Sequence, residues 1–475
     1  MRSSLDPAEL ARKRRRHRNE RIVAAVVIVI AAAVAAVIVY LNHREAVELR
    51  KDQRYIPQLV RMTPEVPLLQ ELVRIDSSKP QGVVSGAHWI AAYLQRNGIK
   101  AEIIESSPSM LNVYARIRGR SRGEGLLLFN HIDVVPPGTG WTRPPFDAVL
   151  FGDRMYGRGT VDMKALTICQ LVAFADIARS GQMPAHDLVF LATADEETGS
   201  TWGMRWLLEH RPDIFEGVQY GITEGGLTEI MGERMTYFGI EIGTKQLVQV
   251  MLEAPTRQAM LETRRRLEPY IFSRRATRVL PEVRRFFQQL APTRFAFKPY
   301  LEDIDATIRD GQFWRLPTTY RDLVQNSITT RGIIPAGDRW QMEVTMLNLP
   351  DEQPDARIAW LARTVAPAGA KVERVLVKEG PNVFSSEKTR MFEILAAEAQ
   401  ERYGVTAGIQ ILYRSASDAR FLRPRGITCY GVSPYPVDYY QSLAIHHPNE
   451  SITVGSFQQG VEYMRRVVRT WARTN

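Results

Sequence analysis

Three consecutive acidic residues follow an apolar run in the segment LATADEETGS (191–200). Asp195, Glu196 and Glu197 stand where a buried strand ends, although like charges repel and burial penalises charged carboxylates. Such residues either cap the following helix, whose positive end favours acids, or take part in chemistry as proton acceptors or cation ligands. These ten residues alone leave both interpretations open.

Histidines and further acids follow other predicted strands. His131 and Asp133 lie in GLLLFNHIDVVP, and Glu224 lies near the end of GVQYGITEGG. A lone histidine is ordinarily a structural residue, but residues i and i+2 at a strand end point the same way, so Asp133 can orient the His131 imidazole. Asp162 lies in YGRGTVDMK, where glycines allow a tight turn that directs its carboxylate towards the strand ends.

Strands and helices alternate around these residues. Helical periodicity covers residues 163–179 between the apolar strands at 125–136 and 187–195, and a further strand covers 217–226. Continuous apolar strands alternating with helices imply a parallel sheet with helices on both faces. Because ligand sites of such sheets gather at the carboxyl ends of the strands, the three strand ends can converge on one site.

The N-terminal region predicts a membrane anchor. Residues 22–41, IVAAVVIVIAAAVAAVIVYL, carry no charge and have about the length of a transmembrane helix. Residues 1–21 hold eight Lys/Arg and three acids, which predicts a cytoplasmic N-terminus and a periplasmic or extracytoplasmic catalytic domain. A cleaved signal peptide is the competing interpretation, but its apolar core is shorter and ends at a small-residue cleavage site.

Composition narrows the remaining classes. The chain has 475 residues with 45% hydrophobic content, enough for two or three packed domains. The basic tail contributes half of the net charge of +10. Membrane topology explains this tail better than nucleic-acid binding does. Cys169 and Cys429 lie in apolar patterns and are expected in the core rather than in a disulfide or a metal site.

The alternating strand–helix pattern of the sequence changes between about residues 241 and 350. Strand-like segments there surround basic helical stretches, which are interpreted as solvated helix faces rather than a binding patch. The predicted organisation begins with a basic tail (1–21), a transmembrane helix (22–41) and a stalk (42–66). A catalytic domain in two parts follows (67–240 and 351–475), with a lid or dimerisation domain (241–350) inserted between the parts.

Five segments occur in order along the chain: HIDVVP, GRGTVDMK, TADEETGS, ITEGG and HHPNESI. Together they resemble the co-catalytic zinc hydrolases that include carboxypeptidase S, glutamate carboxypeptidase, aminoacylase-1 and N-fatty-acyl-amino-acid hydrolases. The resemblance spans roughly residues 67–475. It implies a zinc-exopeptidase-like α/β fold, with a mixed or parallel sheet, helices on both faces and an inserted α+β lid of ferredoxin-like type.

The resemblance also implies a site for two metal ions. His131 and Glu224 would bind one metal, Glu197 and His446 would bind the second, and Asp162 would bridge them. Two zinc ions suit histidine and carboxylate ligands, and cobalt or manganese could occupy the same set. Two such ions about 3.5–4 Å apart activate a water molecule for attack on an amide.

Further roles follow from the same resemblance. Glu196 would be the general base and Asp133 the partner of His131. Arg420, in RSASDARFL, would bind the free α-carboxylate of the substrate, as the guanidinium fork suits a carboxylate; the alternative is a surface arginine. A cis peptide bond is expected between Asp162 and Met163.

The sequence departs from this family in the predicted lid. The segment LEAPTRQAM replaces a Gly-His-Ser-type motif, and no histidine occurs between His210 and His446. Gly332 replaces an asparagine, and Met346 and Leu347 stand where an arginine is expected. A homodimer is an open expectation because related lids dimerise, but the missing histidine argues against catalysis across subunits.

The sequence therefore predicts a membrane-anchored, metal-dependent hydrolase of an amide next to a free carboxylate, in a small peptide or an N-acyl amino acid. Arg257 or Arg331 could supply the missing lid donor. The alternative is a membrane-tethered protein that binds zinc and an amino-acid-like ligand without turnover. Retention of Glu196 favours the enzyme, because a binding protein needs the metal ligands but no general base.

Overall fold

The computed structural model describes residues 62–475, apart from short gaps at 227, 232–233, 273–276, 295, 381–382, 413–416 and 474–475. The predicted transmembrane helix and most of the predicted stalk lie outside the described residues. Within the described part of the chain, no helix combines the length and the apolar character that crossing a membrane requires.

The strands begin and end close to the apolar runs of the sequence. In chain order they are β1 (Ala101–Ser107), β2 (Met110–Ile117), β3 (Ser121–His131), β4 (Val149–Phe151), β5 (Arg154–Tyr156), β6 (His186–Thr193), β7 (Val218–Thr223), β8 (Thr228–Met231), β9 (Arg234–Thr244), β10 (Gln246–Ala254), β11 (Ser327–Ala336), β12 (Arg339–Asn348), β13 (Lys371–Lys378), β14 (Ala407–Leu412), β15 (Thr428–Gly431) and β16 (Ser451–Thr453).

The α-helices lie between these strands. In chain order they are α1 (Glu65–Val73), α2 (Pro80–Arg96), α3 (Lys164–Arg179), α4 (Met204–His210), α5 (Arg257–Phe272), α6 (Pro281–Leu290), α7 (Lys298–Glu302), α8 (Ile304–Arg309), α9 (Thr318–Arg321), α10 (Pro354–Val365), α11 (Arg390–Tyr403), α12 (Ala419–Leu422), α13 (Tyr439–Ala444) and α14 (Val454–Arg473).

Among the described residues, nine strands form a large mixed sheet in the order β1-β2-β6-β3-β7-β15-β9-β14, with β8 on β9. The central strands β6, β3, β7 and β15 are parallel. The edge strands β1 and β2 are antiparallel. The predicted α/β class with a mixed sheet is confirmed. The parallel strands place the carboxyl ends of β6, β3 and β7 side by side.

Helices α3 and α14 pack together on the large sheet. Helix α14 buries Phe457, Val461, Met464 and Val468, whose spacings of four and three place them on one helical face. Each fully buried apolar side chain of this kind contributes about 1.5–3 kcal/mol. Helix α3 is buried along nearly its whole length, so the loop that ends at its first turn, next to Asp162, is held on a rigid support.

A small antiparallel sheet has the order β11-β12-β10-β13. Helices α5 and α10 pack on it through one apolar cluster that includes Val250, Met260, Val344 and Leu361. Apart from the helices α6–α9, which are inserted between α5 and β11, the elements follow the order β10-α5-β11-β12-α10-β13. This βαββαβ arrangement is the ferredoxin-like pattern. The small sheet continues past the predicted boundary at 350, because β13 pairs with β10 and α10 packs on the same sheet. Its role as a lid or dimer surface stays a prediction.

The basic segment between α5 and β11 has a buried apolar face. Helix α6 buries Val283, Phe286 and Leu290. Its Arg284 lies on the exposed side and donates from Nε to Asp305 at 2.8 Å. The arginine-rich pattern here therefore belongs to an amphipathic helix, in agreement with the interpretation as a solvated helix face.

One buried ion pair fastens the antiparallel edge of the large sheet. Asp187 on β6 accepts from Arg116 Nη1 on β2 at 2.8 Å and from the backbone N–H of Gly119 at 2.9 Å. Burial opposes the charge of Asp187, but these donors outweigh burial and lower its pKa. The ionised carboxylate therefore stabilises the fold at neutral pH.

We expect Asp187→Asn to lower the free energy of unfolding by about 3 kcal/mol at pH 7, because it leaves the buried Arg116 without its charge partner. The difference in unfolding free energy between the variant and the wild type should be largest above the ordinary aspartate pKa. It should decrease as the pH falls through the lowered pKa of Asp187 in the folded state. Urea unfolding at pH 7 and pH 3 measures both effects, with the exposed Asp338→Asn as the matched control. An equal difference at both pH values would contradict this account.

Candidate metal centre and active site

The ends of three neighbouring parallel strands carry the predicted site residues. His131 is the last residue of β3, Glu196 and Glu197 lie in the loop after β6, and Glu224 follows β7. Because β6, β3 and β7 are adjacent in the sheet, their carboxyl ends meet at one edge. His446 reaches the same place from the loop between α13 and β16. The predicted convergence of the strand ends is confirmed.

Two groups of potential metal ligands share Asp162. The first group is His131, Asp162 and Glu224, and the second is Asp162, Glu197 and His446, with all ligand atoms of each group within 4.8 Å of one another. His131 Nε2 lies 3.3 Å from Asp162 Oδ1 and 3.6 Å from Glu224 Oε1. His446 Nε2 lies 3.0 Å from Asp162 Oδ2 and 3.3 Å from Glu197 Oε2. Asp162 thus faces both groups with different oxygens.

The donor atoms of these groups fit divalent cations. His131 Nε2, Asp162 Oδ1 and Glu197 Oε1 are buried and make no hydrogen bond among the described residues. Orphaned polar atoms that converge in this way are costly unless a ligand satisfies them. Two histidines with three carboxylates form a donor set that suits zinc and related transition metals. The peptide bond between Asp162 and Met163 is cis, as the resemblance implies.

The acids and histidines of the cluster influence one another's ionisation. Burial opposes the charge of Asp162, but its close contacts with the imidazoles of His131 and His446 outweigh burial and hold its pKa well below the usual range. Hydrogen bonds to Asp162 and Glu197 raise the pKa of His446 to about 11. Burial and the nearby Asp162 charge raise the pKa of Glu224 to about 8. A cation between these groups would offset the repulsion between the carboxylates.

Asp133 has a different contact from the one that the sequence predicts. The Nδ1 atom of His131 lies 2.8 Å from the backbone oxygen of Asp133 and 3.7 Å from its carboxylate. The carboxylate instead accepts from the backbone N–H groups of Glu196 and Glu197, at 3.1 and 3.0 Å. Asp133 therefore fixes the imidazole through its main chain and orients the acidic loop through its side chain. Its short side chain can reach the loop amides because β6 adjoins β3.

The first acid of the DEE run, Asp195, shapes the loop. Asp195 has a left-handed backbone with φ of 69°, and its carboxylate accepts from Thr198 Oγ1 and from the backbone N–H of Trp202. Aspartate tolerates this conformation better than most residues because its side chain bonds to nearby backbone. Gly203 completes the turn, since a Cβ there would lie 2.0 Å from the Ala194 oxygen. The turn separates the directions of Glu196 and Glu197.

Glu196 lies next to Arg420. Arg420 Nη1 donates to Glu196 Oε1 at 3.3 Å, and its Nε lies 3.1 Å from Glu379 Oε1. Burial raises the pKa of Glu196 well above its usual range, and Arg420 acts in the opposite direction. The Arg420 side chain is only 9% exposed and lines the cavity, so the alternative of a surface arginine is wrong. Glu379 has no motif around it, and sequence reasoning missed it.

A buried ion pair holds the loop that carries Asp162. Glu450 is fully buried, and its Oε1 accepts from the backbone N–H groups of Val161 and Asp162 at 2.8 and 3.3 Å. Its Oε2 lies 2.5 Å from Arg158 Nη1, which is also buried. Sequence reasoning missed Glu450, although it is the glutamate of the HHPNE segment that was quoted for its histidine.

We expect Glu450→Gln to weaken metal binding by about 10–100-fold, because partners that orient a ligand have effects of this size. The variant should also lose stability, since Arg158 would keep a buried charge without its partner. Calorimetric titration with zinc and urea unfolding measure the two effects, with the exposed Glu393→Gln as the matched control. Unchanged zinc affinity in a folded Glu450→Gln protein would show that the ion pair does not position Asp162.

The cluster of potential metal ligands opens into a cavity of about 1920 Å³ between the large sheet, the small sheet and the segment of α6–α9. Its lining includes Glu196, Arg420 and, from the helical segment, Arg294. Among the described residues, the cavity lining does not include Arg257 or Arg331. Arg257 lies over the Trp340 ring, and Arg331 pairs with Glu343 at 3.3 Å. The structure therefore does not bring either candidate lid donor to the site.

The fold is shared with solved metallopeptidases. A metallo-carboxypeptidase of the M20 family from Sulfolobus solfataricus superimposes with a TM-score of 0.68 at 19% identity, covering 86% of this chain and 100% of that one. Human carnosine dipeptidase 1 gives a TM-score of 0.62 at 14% identity, covering 86% and 96%. At these identities the similarity establishes the fold alone.

The sequence matches peptidase family M20/M25/M40 over residues 127–470, and the chain belongs to this metallopeptidase family. A succinyl-diaminopimelate desuccinylase of Gluconobacter oxydans is 35% identical over 151 residues, which are 31% of this chain and 38% of that protein. The desuccinylase of Sphingopyxis alaskensis is 27% identical over 310 residues, which are 63% and 72%. The first of these matches thus spans under two fifths of the relative's length. The predicted di-metal peptidase family is confirmed.

Proposed function

We propose that this protein is a membrane-anchored hydrolase that cleaves an amide bond next to a free carboxylate. Its substrate would be a dipeptide, the C-terminal residue of a small peptide or an N-acyl amino acid. The observation that carries the proposal is the pair of ligand groups sharing Asp162, with Glu196 beside them in the same cavity. The carboxypeptidase, dipeptidase and desuccinylase among the similar proteins support the same reaction class.

In the proposed site, five side chains would hold two divalent metals, with zinc as the first choice. His131 and Glu224 would bind one ion, Glu197 and His446 the other, and Asp162 both. When bound, such ions lower the pKa of water and polarise the carbonyl group of the substrate. The chain holds these ligands on strand ends and on a loop that Glu450 fastens.

Glu196 is the proposed general base. Its backbone N–H donates to Asp133. Glu196 lines the same cavity as members of both ligand groups but belongs to neither group. Glu196 takes a proton from the attacking water and passes it to the leaving nitrogen. Arg420, whose guanidinium lies beside it, is proposed to bind the free carboxylate of the substrate and so to orient the amide.

The topology is part of the proposal and rests on the sequence. The uncharged segment at 22–41 would anchor the chain once in the membrane, and the basic tail before it would keep the N-terminus in the cytoplasm. The hydrolase would then lie on the extracytoplasmic side. Alkaline phosphatase fusions after residue 66 and after residue 21 test this, since only the first should be active.

The function is tested on the full chain in detergent, supplied with zinc, by release of free amino acid from a panel of dipeptides and N-acyl amino acids. We expect turnover that a chelator abolishes and that added zinc restores. The lid lacks the histidine and arginine that the resemblance implies, so a folded protein that binds two zinc ions without any turnover would support the binding-protein alternative. Cobalt and manganese are compared in the same assay to identify the preferred metal.

A further inference from the structure

Glu379 lies at the junction between the two sheets. Lys245 alone separates β9 from β10, and Glu379 follows β13 directly, so these two positions are where the chain crosses between the sheets. The backbone N–H of Glu379 donates to the Leu247 oxygen at 3.1 Å, and its Oε2 accepts from the Leu247 N–H at 2.7 Å. Glu379 therefore fastens the two crossing segments to each other.

The other oxygen of Glu379 faces the site. Oε1 lies 3.1 Å from Arg420 Nε, and Arg420 Nη1 lies 3.3 Å from Glu196 Oε1. The side chains of Glu379 and Arg420 are only 7% and 9% exposed, so water screens their attraction less than it would at the surface. All three residues line the same cavity.

The guanidinium of Arg420 therefore lies between the carboxylates of Glu196 and Glu379. An arginine carries five N–H donors, and the two carboxylates face Nε and Nη1, so further donors are left for a third carboxylate. Without the charge of Glu379, the guanidinium would be drawn towards Glu196, the proposed base, whose carboxylate it already contacts. Glu379 opposes that movement because its carboxylate attracts the guanidinium from the other side, with Oε1 3.1 Å from Nε. This attraction is electrostatic, since Nε makes no hydrogen bond among the described residues.

We propose that Glu379 is a positioning residue that acts through Arg420 to select substrates with an anionic end. By attracting the guanidinium towards the sheet junction, it keeps the guanidinium from moving further towards Glu196 and leaves the remaining N–H groups for a substrate carboxylate. This inference rests on the proposed function, in which Arg420 binds that carboxylate. Glu379 itself contacts neither the substrate nor the metals.

The test compares the best substrate of the panel with its C-terminal carboxamide. In Glu379→Gln, which keeps an acceptor for the Leu247 N–H, we expect kcat/KM for the carboxylate substrate to fall about 10–100-fold, mainly through KM, and the carboxamide to lose far less. In an Arg420→Gln background the same change should add less than about twofold, because the two residues act as one unit. Glu373→Gln, an exposed change on the same strand, is the matched control.

The inference would be overturned if Glu379→Gln lowered kcat/KM equally for both substrates, or if it lowered kcat/KM just as much in the Arg420→Gln background. Either result would indicate a structural role for Glu379. If Glu379→Gln does not fold, Glu379→Asp, which keeps the charge with a shorter reach, replaces it in the same comparison. Calorimetric binding of N-acetylglycine and N-acetylglycinamide separates this inference from the proposed function. A wild type without turnover defeats the proposed function, whereas a missing carboxylate preference, or one that survives Glu379→Gln, defeats the role of Glu379.

Discussion

Replacement of Glu196 by glutamine is expected to lower kcat about 10³-fold without removing the metals. Positioned general bases contribute 10²–10⁴-fold, and Glu196 belongs to neither ligand group. Glutamine has the same shape and can still accept from Arg420, but it cannot take a proton from water. The measurement is kcat on the best substrate, together with zinc content by elemental analysis.

The exposed Glu209→Gln is the matched control for this experiment, since it makes the same chemical change on α4 outside the cavity. Its kcat and zinc content should equal those of the wild type. A Glu196→Gln enzyme that keeps more than about a tenth of the wild-type kcat would remove Glu196 from the role of base. A variant that loses zinc as well as activity would instead make Glu196 a metal ligand, contrary to the geometry.

The second large effect is expected from Asp162→Asn. Asp162 faces both ligand groups with separate oxygens, whereas the asparagine side chain offers one neutral oxygen and an NH₂ group that cannot bind a cation. We expect bound zinc to fall from about two ions per chain to fewer than one, and kcat/KM to fall by about 10³-fold or more. Zinc content after gel filtration and the activity assay measure the two effects.

Glu224→Gln provides a graded comparison, because Glu224 belongs to one ligand group only. It should lose one zinc ion and keep the other, and excess zinc should restore part of its activity. The exposed Asp153→Asn controls for the loss of an acid near the same loop. Full zinc content in a folded Asp162→Asn protein would contradict the shared-ligand geometry.

The positions of most site residues followed from local sequence patterns. His131, Glu197 and Glu224 stand at or just after the ends of apolar strands, and parallel strands that are neighbours in a sheet must bring their carboxyl ends together. The TADEETGS segment likewise contains the aspartate that makes the left-handed turn and the two glutamates that leave it in different directions. The five segments in order were enough to define the family, and the match over residues 127–470 confirms it.

The sequence was less informative about contacts between distant segments. Arg420 and Glu196 are 224 positions apart, and Glu379 reaches Leu247 across 132 positions. The boundary of the small sheet was also placed too early, because α10 and β13 carry the same helix–strand pattern as the α/β region that follows them. A pattern of this kind reports which residues are buried, but it does not report the sheet in which a strand pairs.

The sequence by itself thus determined the family, the types and order of the candidate metal ligands and the strand-end positions from which they project, since each depends on a few adjacent residues. The tertiary structure alone decided that Asp133 binds the acidic loop, that Glu450 fastens the loop of Asp162 and that Glu379 and Glu196 share Arg420. The physical reason is that each of these contacts joins segments whose distance is set by sheet order and helix packing, and only the folded chain brings them within hydrogen-bonding reach.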